Sequence, residues 1–304
     1  MAGKEQVLVA GGMTLDTIKT STRELVKVLG GSGSYAGYAA SFFAPTKMLG
    51  IVGEDFPEAY RQPFLSRGID LAGMQVAPGK TFHWTAQYGD DMNHRRTLSI
   101  ERGVTEAYAP ALPDSYRDIG YVLIANDPPE IQLRILDQLR KPKFVIADTI
   151  DFWIENEREA VGELLRRIDL IVVNDSEARA LTGESNTIQA AKHLLDLGPK
   201  RAVVKKGEHG SILVGPDGLH VLPAYPVEKM IDPTGAGDSF IGAFLGYCAQ
   251  QGDTSTETLR EGLIQGTLVA SFNLEAFTLE RLESLTHEEL AARSLEFRRI
   301  AGWN

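Results

Sequence analysis

The chain has 304 residues, 43% hydrophobic and 24% charged, an ordinary globular composition with enough length to bury a sizeable core in one large α/β domain or two small ones. Its formal net charge of −10 argues against general nucleic-acid binding, so an anionic ligand would need a local positive site. The single cysteine, Cys248, excludes an intrachain disulfide and fits a reducing cytoplasm, no signal peptide or membrane-length apolar run is expected, and the six scattered histidines suggest no metal-ligand cluster.

The first apolar run, 7-VLVAG-11, reads as a buried strand. Two segments then show strand-like alternation: 14-TLDTIKTSTRELVKVLG-30 and 81-TFHWTAQYGDDMNHRRTLSIERG-103. In the second, Phe82, Trp84, Ala86 and Tyr88 share one face, 89-GDDMN-93 suits a turn, and Leu98 and Ile100 resume the pattern. Together they predict a small antiparallel sheet standing off the main body, although periodicity alone favours an edge hairpin with no part in ligand handling. Four more runs, 121-YVLIA-125, 143-KFVIAD-148, 169-DLIVVN-174 and 202-AVVKKG-207, are continuously apolar rather than alternating. That pattern suits strands covered on both faces, as in a parallel sheet. Helical stretches at 128–141, 155–168 and 187–198 separate them, the last ending at Gly198. The alternation is that of βαβ units.

Near the C-terminal third the chain reads 232-DPTGAGDSF-240. Asp-Pro favours a turn, and Gly235 and Gly237 permit backbone conformations that Cβ-bearing residues resist. From Asp238 onward a helix is expected, with Phe240, Ala243, Phe244 and Tyr247 on one face and Gly252 as its stop. A glycine-rich turn at a helix start offers backbone N–H groups to an anion. Taken alone, the motif is most simply a helix capped by Asp238. No Walker-A lysine follows the glycines, so it is not a P-loop. Phosphoryl transfer to an alcohol would use both halves of it: the amides of Gly235, Ala236 and Gly237 for the phosphoryl charge, and Asp238 as general base for the hydroxyl proton.

At this point the sequence resembles the ribokinase-like, or PfkB, sugar kinases, over nearly its whole length and with the motifs in the same order. The resemblance implies a three-layer α/β sandwich with a mostly parallel central sheet. It implies one kinase domain over 1–304, with a small β-sheet lid from strands within 14–29 and 81–103. In the family's DPTGAGD signature the aspartate is the catalytic base and the GAG amides form the anion hole, here Asp238 with Gly235, Ala236 and Gly237. The opening 7-VLVAGGMTLD-16 matches the strand, glycine turn and aspartate that binds substrate hydroxyls, which assigns that role to Asp16. The stretch 30-GGSGSYAGYAASFFAP-45 matches the GGxxxN sugar-binding signature through Gly30 and Gly31, with Tyr35 where the family has asparagine. The GxGxxA spacing from Gly31 to Ala36 also mimics a dinucleotide fingerprint, without a clean strand before it or the acidic residue after it. In 49-LGIVGEDFPEAYRQPFLSRGID-70, Gly53 and Asp55 shape a loop.

The 174-NDSE-177 stretch matches the NxxE motif, which implies Asn174 at the nucleotide site and Glu177 helping to hold magnesium through water. Asn174 or Ser176 can cap the following helix at the same time. The stretch 203-VVKKGEHGSILV-214 matches a strand, glycine turn and strand beside the nucleotide, with Lys205, Gly207 and Gly210 as contacts. For Lys205, a solvated surface position is the alternative. His83, Asn93, His94, Arg95 and Arg96 are candidate lid contacts. Many members respond to potassium through carbonyls around the 232 loop and a late segment. Asp232 and Pro233 match the first part and 270-ASFNLEAFTLERL-282 departs from ASxxVxxxGA, so potassium stays open.

The expected protein is therefore a cytoplasmic, ATP- and magnesium-dependent carbohydrate kinase. It would move the γ-phosphoryl of ATP to a hydroxyl of a sugar or cyclic polyol. A nucleoside is the second choice of acceptor, with Phe82, Trp84 and Tyr88 available to stack on a base. A non-catalytic sugar sensor and a nicotinamide oxidoreductase are the readings from other classes. Small molecules, rather than nucleic acid or membrane, are the expected partners, and a homodimer through the lid is compatible with the resemblance.

Overall fold

The computed structural model describes residues 5–21, 23–89 and 95–303, with Arg95 described by its backbone alone. The described strands, in chain order, are β1 (Val7–Ala10), β2 (Thr14–Lys19), β3 (Glu24–Gly30), β4 (Thr46–Gly53), β5 (Asp70–Ala77), β6 (His83–Tyr88), β7 (Arg95–Glu101), β8 (Tyr121–Ile124), β9 (Phe144–Asp148), β10 (Leu170–Asn174), β11 (Arg201–Lys205), β12 (Ser211–Gly215) and β13 (Gly218–Leu222). Nine of them form one sheet in the order β13-β12-β11-β10-β9-β8-β1-β4-β5. From β5 to β11 every pairing is parallel; β12 and β13 are added antiparallel.

The continuous apolar runs have the consequence expected of them. Val7 and Val9 point into one buried cluster with Ala36, Phe244 and Leu268, while Leu8 and Ala10 point into another with Ile131, Leu164 and Ala190. Helices thus cover both faces, giving three layers. The helix at 128–141 proves shorter than its pattern, running Pro129–Leu136, and that at 155–168 runs Arg158–Leu165. The 187–198 helix runs Thr187–His193 and tightens into a 3₁₀ turn, Leu194–Leu197, before Gly198.

The smaller sheet has the order β3-β2-β6-β7. It is not wholly antiparallel as the sequence suggested: β2 pairs with β6 in parallel, because the chain travels through β4 and β5 between them. Val28, Asp16, Trp84 and Ile100 stand in register across the four strands and so share a face. A bulge opposite Ala86 displaces Leu98 from the pairing. The turn expected at 89–93, together with Asn93 and His94, falls largely outside the described residues.

The helix Ala236–Gln251 is buried more widely than its expected single face. It lies between helices Ser32–Ala40 and Thr256–Asn273, and at Gly242 and Gly246 it approaches the backbone of Ala36 and Ala40. A Cβ on Gly242 would overlap the Ala36 carbonyl oxygen. Gly242→Ala should therefore lower stability by roughly 1–3 kcal/mol, the usual cost of overpacking a tight contact. Urea unfolding would read this as a lower midpoint at unchanged slope.

Candidate active site

The order of the large sheet reverses at β1, between β8 and β4. Open α/β sheets bind ligands in the crevice outside the strand carboxyl ends at such a point. Lys205, the last residue of β11, meets the 232–238 loop there at Gly237, and Asp148, the last residue of β9, lies within reach of the Asp238 charge.

That loop is held from its base. The Ile231 and Asp232 amides donate to the Leu274 carbonyl at 2.7 and 3.4 Å. Asp232 is fully buried; its Oδ1 accepts from the Thr234 amide at 2.9 Å and its Oδ2 has no hydrogen-bond partner. Burial raises its carboxyl above the usual range. Gly235 caps the helix in a left-handed conformation (φ 76°, ψ 0°), and a Cβ there would overlap the Tyr35 ring. Only glycine meets both conditions. The helix therefore starts at Ala236, two residues earlier than the sequence suggested, and Asp238 lies inside its first turn rather than at the cap. The Ala236 amide donates to the Pro233 carbonyl at 3.2 Å, so this member of the expected anion hole already has an acceptor.

On one side of the loop stand the residues expected to bind the acceptor. Asp16 is 3% exposed, and its Oδ1 accepts from the Thr14 hydroxyl at 2.7 Å. Gly30 lies against this carboxylate so closely that any Cβ would collide with it. Gly31 packs on the Gly12 carbonyl at the start of helix Ser32–Ala40. Tyr35, on that helix, is buried with its hydroxyl unpaired. Burial, then the charges of Asp232 and Asp16, push the phenol well above its ordinary range. Tyr35 thus joins Asp16 to the loop.

On the other side, β11 ends beside the helix start. A Cβ on Gly237 would lie 2.9 Å from Lys205 Nζ, which puts this ammonium at the loop. Lys205 is paired in register with Asn174. Asn174 caps helix Asp175–Thr182 through a capping box: its Oδ1 accepts from the Glu177 amide at 2.8 Å, and Glu177 Oε2 accepts from the Asn174 amide at 2.7 Å. Gly207 begins the turn between β11 and β12, facing open space. Gly210 packs instead on the Leu222–Ala224 backbone.

The small sheet sorts the remaining candidates. His83 Nε2 is 2.9 Å from the Thr17 hydroxyl and its Nδ1 is 3.3 Å from Glu101, on the face opposite Asp16. Arg96 pairs in register with Gln87 on that same outer face. Arg95 pairs with Tyr88, but its side chain lies outside the described residues. The Tyr88 hydroxyl is 2.8 Å from the Thr234 hydroxyl and ties β6 to the loop. Asp55 accepts from the amide and hydroxyl of Thr81 at 2.7 and 2.8 Å, fixing the entry to β6 and leaving Asp55 in the loop-shaping role expected for it.

Sequence reasoning missed two acids. Asp148, at the end of β9, is 6% exposed with Oδ1 unpaired. Burial and the nearby charges of Asp238 and Glu177 raise its carboxyl well above the usual range, against the pull of Lys205. Asp127 follows β8, next to Asn126, whose carbonyl accepts from the Ser32 hydroxyl at 3.3 Å and whose Oδ1 accepts from Trp153 at 3.1 Å. Desolvation pushes Asp127 up to about 7. Asp148 terminates β9 and Asp127 follows three residues after β8, positions at strand carboxyl ends that could have singled them out.

A nine-stranded, mostly parallel sheet carrying a four-stranded sheet, with a glycine-rich helix start in the crevice, is the ribokinase-like architecture. The pfkB family carbohydrate kinase pattern matches residues 5–279, and the chain belongs to that family. A cytidine kinase from Thermococcus kodakarensis is 33% identical over 267 residues, 84% of this chain and 93% of that one. The structure of aminoimidazole riboside kinase from Salmonella enterica, complexed with aminoimidazole riboside and an ATP analogue, superimposes with a TM-score of 0.80 at 19% identity, covering 95% of this chain and all of that one. The Burkholderia thailandensis nucleoside kinase in complex with inosine gives 0.78 at 21% identity, covering 98% of each chain. Among the described residues no helix is long and apolar enough to cross a membrane.

The Asp127 carboxyl gives a pH test. Its folded pKa is raised, so its contribution to stability is full below the unfolded value of about 3.9 and is lost as pH rises through about 7. The melting temperature of Asp127→Asn minus that of the wild type should therefore grow from pH 5 to pH 8. A constant difference across that interval would contradict the assignment.

Proposed function

We propose that this kinase moves the γ-phosphoryl of ATP to a hydroxyl of a nucleoside or sugar, with Asp238 as general base. The observation that carries the reading is the contact chain Asp16–Gly30, Tyr35–Gly235 and Gly237–Lys205. These contacts support reading Asp238, in the first turn of its helix, as lying between residues suited to hydroxyls and a cationic amide cradle.

The acceptor hydroxyl, oriented by Asp16 and the Gly30–Gly31 backbone, gives its proton to the Asp238 carboxylate as its oxygen bonds to the γ-phosphorus. The bond from that phosphorus to the bridging oxygen breaks, and ADP leaves. Lys205 and the amides of Gly235 and Gly237 stabilise the charge on the transferring oxygens. The Ala236 amide joins them by giving up its 3.2 Å bond to Pro233. Asn174, Lys205 and the Gly207 turn face the nucleotide, and Gly210 supports that turn. The small sheet is the lid, and its Tyr88–Thr234 bond brings it onto the loop; closure would exclude water.

Among the described residues no three His, Cys, Asp or Glu side chains are grouped to hold a metal ion directly. Magnesium would neutralise the charge of the phosphates, and Glu177 and the unpaired Asp148 oxygen are the acids that would hold it through water. The unpaired, buried Oδ2 of Asp232 suits a monovalent cation such as potassium beneath the loop.

Two observations now favour a nucleoside over a free sugar or cyclic polyol. Trp84 stands in register with Asp16 on the same face, its indole nitrogen donating to Thr97 at 3.1 Å, so its ring is fixed where a base could stack. The Thermococcus relative, named a cytidine kinase, matches over most of its length. A coupled ADP-release assay across nucleosides, sugars and inositols tests the acceptor, with cytidine expected to exceed ribose and inositol. Asp238→Asn should lower kcat by about 10²–10⁴-fold, the scale of a lost general base, while an ATP analogue still binds. Retained turnover would defeat the assignment.

A further inference from the structure

Asn273 ends helix Thr256–Asn273 and is 1% exposed. Its Nδ2 donates to the Thr234 carbonyl at 2.8 Å, and its Oδ1 lies 3.3 Å from the Ser239 hydroxyl, which donates to it. The amide orientation follows from the partners, since a carbonyl can only accept. Thr234 and Ser239 bracket Gly235–Asp238, so one side chain spans the loop from its last turn residue to the first turn of its helix. The Thr234 carbonyl lies four residues before Asp238, where an added helical turn would place the acceptor for that amide. Asn273 thus holds the Thr234 carbonyl beside the start of the helix at Ala236.

The clamp is itself rigidly seated. The next carbonyl, Leu274, takes the Ile231 and Asp232 amides. Glu275 is paired with Arg281 at 3.1 Å and Arg293 at 2.5 Å, and both guanidinium groups lie over the Phe272 ring. On the far side, the Thr234 hydroxyl meets Tyr88 of the small sheet.

We propose that Asn273 is a positioning residue for phosphoryl transfer, setting the angle between the 232–235 bend and the helix so that the Gly235 and Gly237 amides and the Asp238 carboxylate converge on one point. The claim rests on the phosphotransfer reading and gives a role to a residue that the late 270–282 segment contains but to which the sequence assigned none. An amide is the group required, because it donates to one partner and accepts from the other. An aspartate would set oxygen against the Thr234 carbonyl, and a serine is too short to reach both ends.

Asn273→Asp and Asn273→Ser test it through kcat, acceptor KM, melting temperature, and affinity for ADP alone and for ADP with aluminium fluoride, a mimic of the transferring phosphoryl. Loss of aim should lower kcat and the affinity for ADP with aluminium fluoride by about 10-fold or more. Small misplacements at reacting centres carry penalties of up to about 10²-fold. Acceptor KM and affinity for ADP alone should stay within about 3-fold of wild type. Unchanged kcat and fluoride-complex affinity in both variants would overturn the proposal. So would a parallel loss of kcat, ADP affinity and thermal stability, which marks a merely structural role. If the aspartate variant does not fold, the neutral serine variant decides. A wild type inactive on every acceptor would instead sink the phosphotransfer reading, and the fluoride-complex arm would still read the clamp.

Discussion

A helix can offer its first amides to an anion only if the chain enters it sideways, because a chain arriving along the axis would supply carbonyls that consume them. In this protein the sideways entry is Gly235, left-handed and pressed on the Tyr35 ring. Left to itself such a bend could relax into another helical turn. Three fixtures oppose this: Leu274 holds residues 231 and 232, Asn273 holds Thr234, and Tyr35 fills the space a wider turn would need. The large sheet matters to the site chiefly because it seats those three fixtures around one loop.

The charge around the loop is lopsided. Asp232, Asp148 and Glu177 are buried, Asp148 within reach of the charges of both Asp238 and Glu177, and the cation set beside Gly237 is Lys205. In a chain of net charge −10 this crevice cannot attract a polyphosphate by bulk electrostatics. On the proposed reading, local amides, the Lys205 ammonium and any cation bound with the phosphates would have to do so. Burial raises the Asp148 carboxyl most, and the neighbouring charge of Asp238 adds to it before any ligand enters. A cation arriving opposite these acids would reverse it, so ligand and metal would favour one another's binding through charge alone.

What could be read from the sequence follows from how local the determining physics is. Strands β1 and β8–β11 were legible because burial on both faces leaves a continuous apolar run. The helix start was misplaced by two residues because the bend is set by Tyr35 and Asn273, which lie 200 residues before the loop and 35 after it in approximate terms, and no local pattern encodes such contacts. Lys205 left open a surface role, since its place at Gly237 depends on the parallel register of β10 and β11. The parallel pairing of β2 with β6 was invisible for a similar reason: alternation reports which face a strand buries, not the direction of its neighbour. Asp148 ends the run 143–148 and Asp127 lies just beyond the run 121–125, and neither stands out by pattern, although strand ends are where an open α/β sheet keeps its chemistry.

On the proposed assignment, Tyr35 shows why an acceptor site beside Asp16 and a phosphoryl loop at 232–238 cannot be treated as separate modules. Where the resemblance leads one to expect an amide for sugar hydroxyls, this chain has an aromatic ring that is almost entirely buried and lies flush with Gly235. A smaller side chain there would open room for an acceptor and at the same time remove the wall that keeps Gly235 in its left-handed bend. Acceptor choice and loop geometry are thereby coupled through one ring. A change of residue at this position would leave the loop to its remaining fixtures, the Leu274 carbonyl and the Asn273 amide.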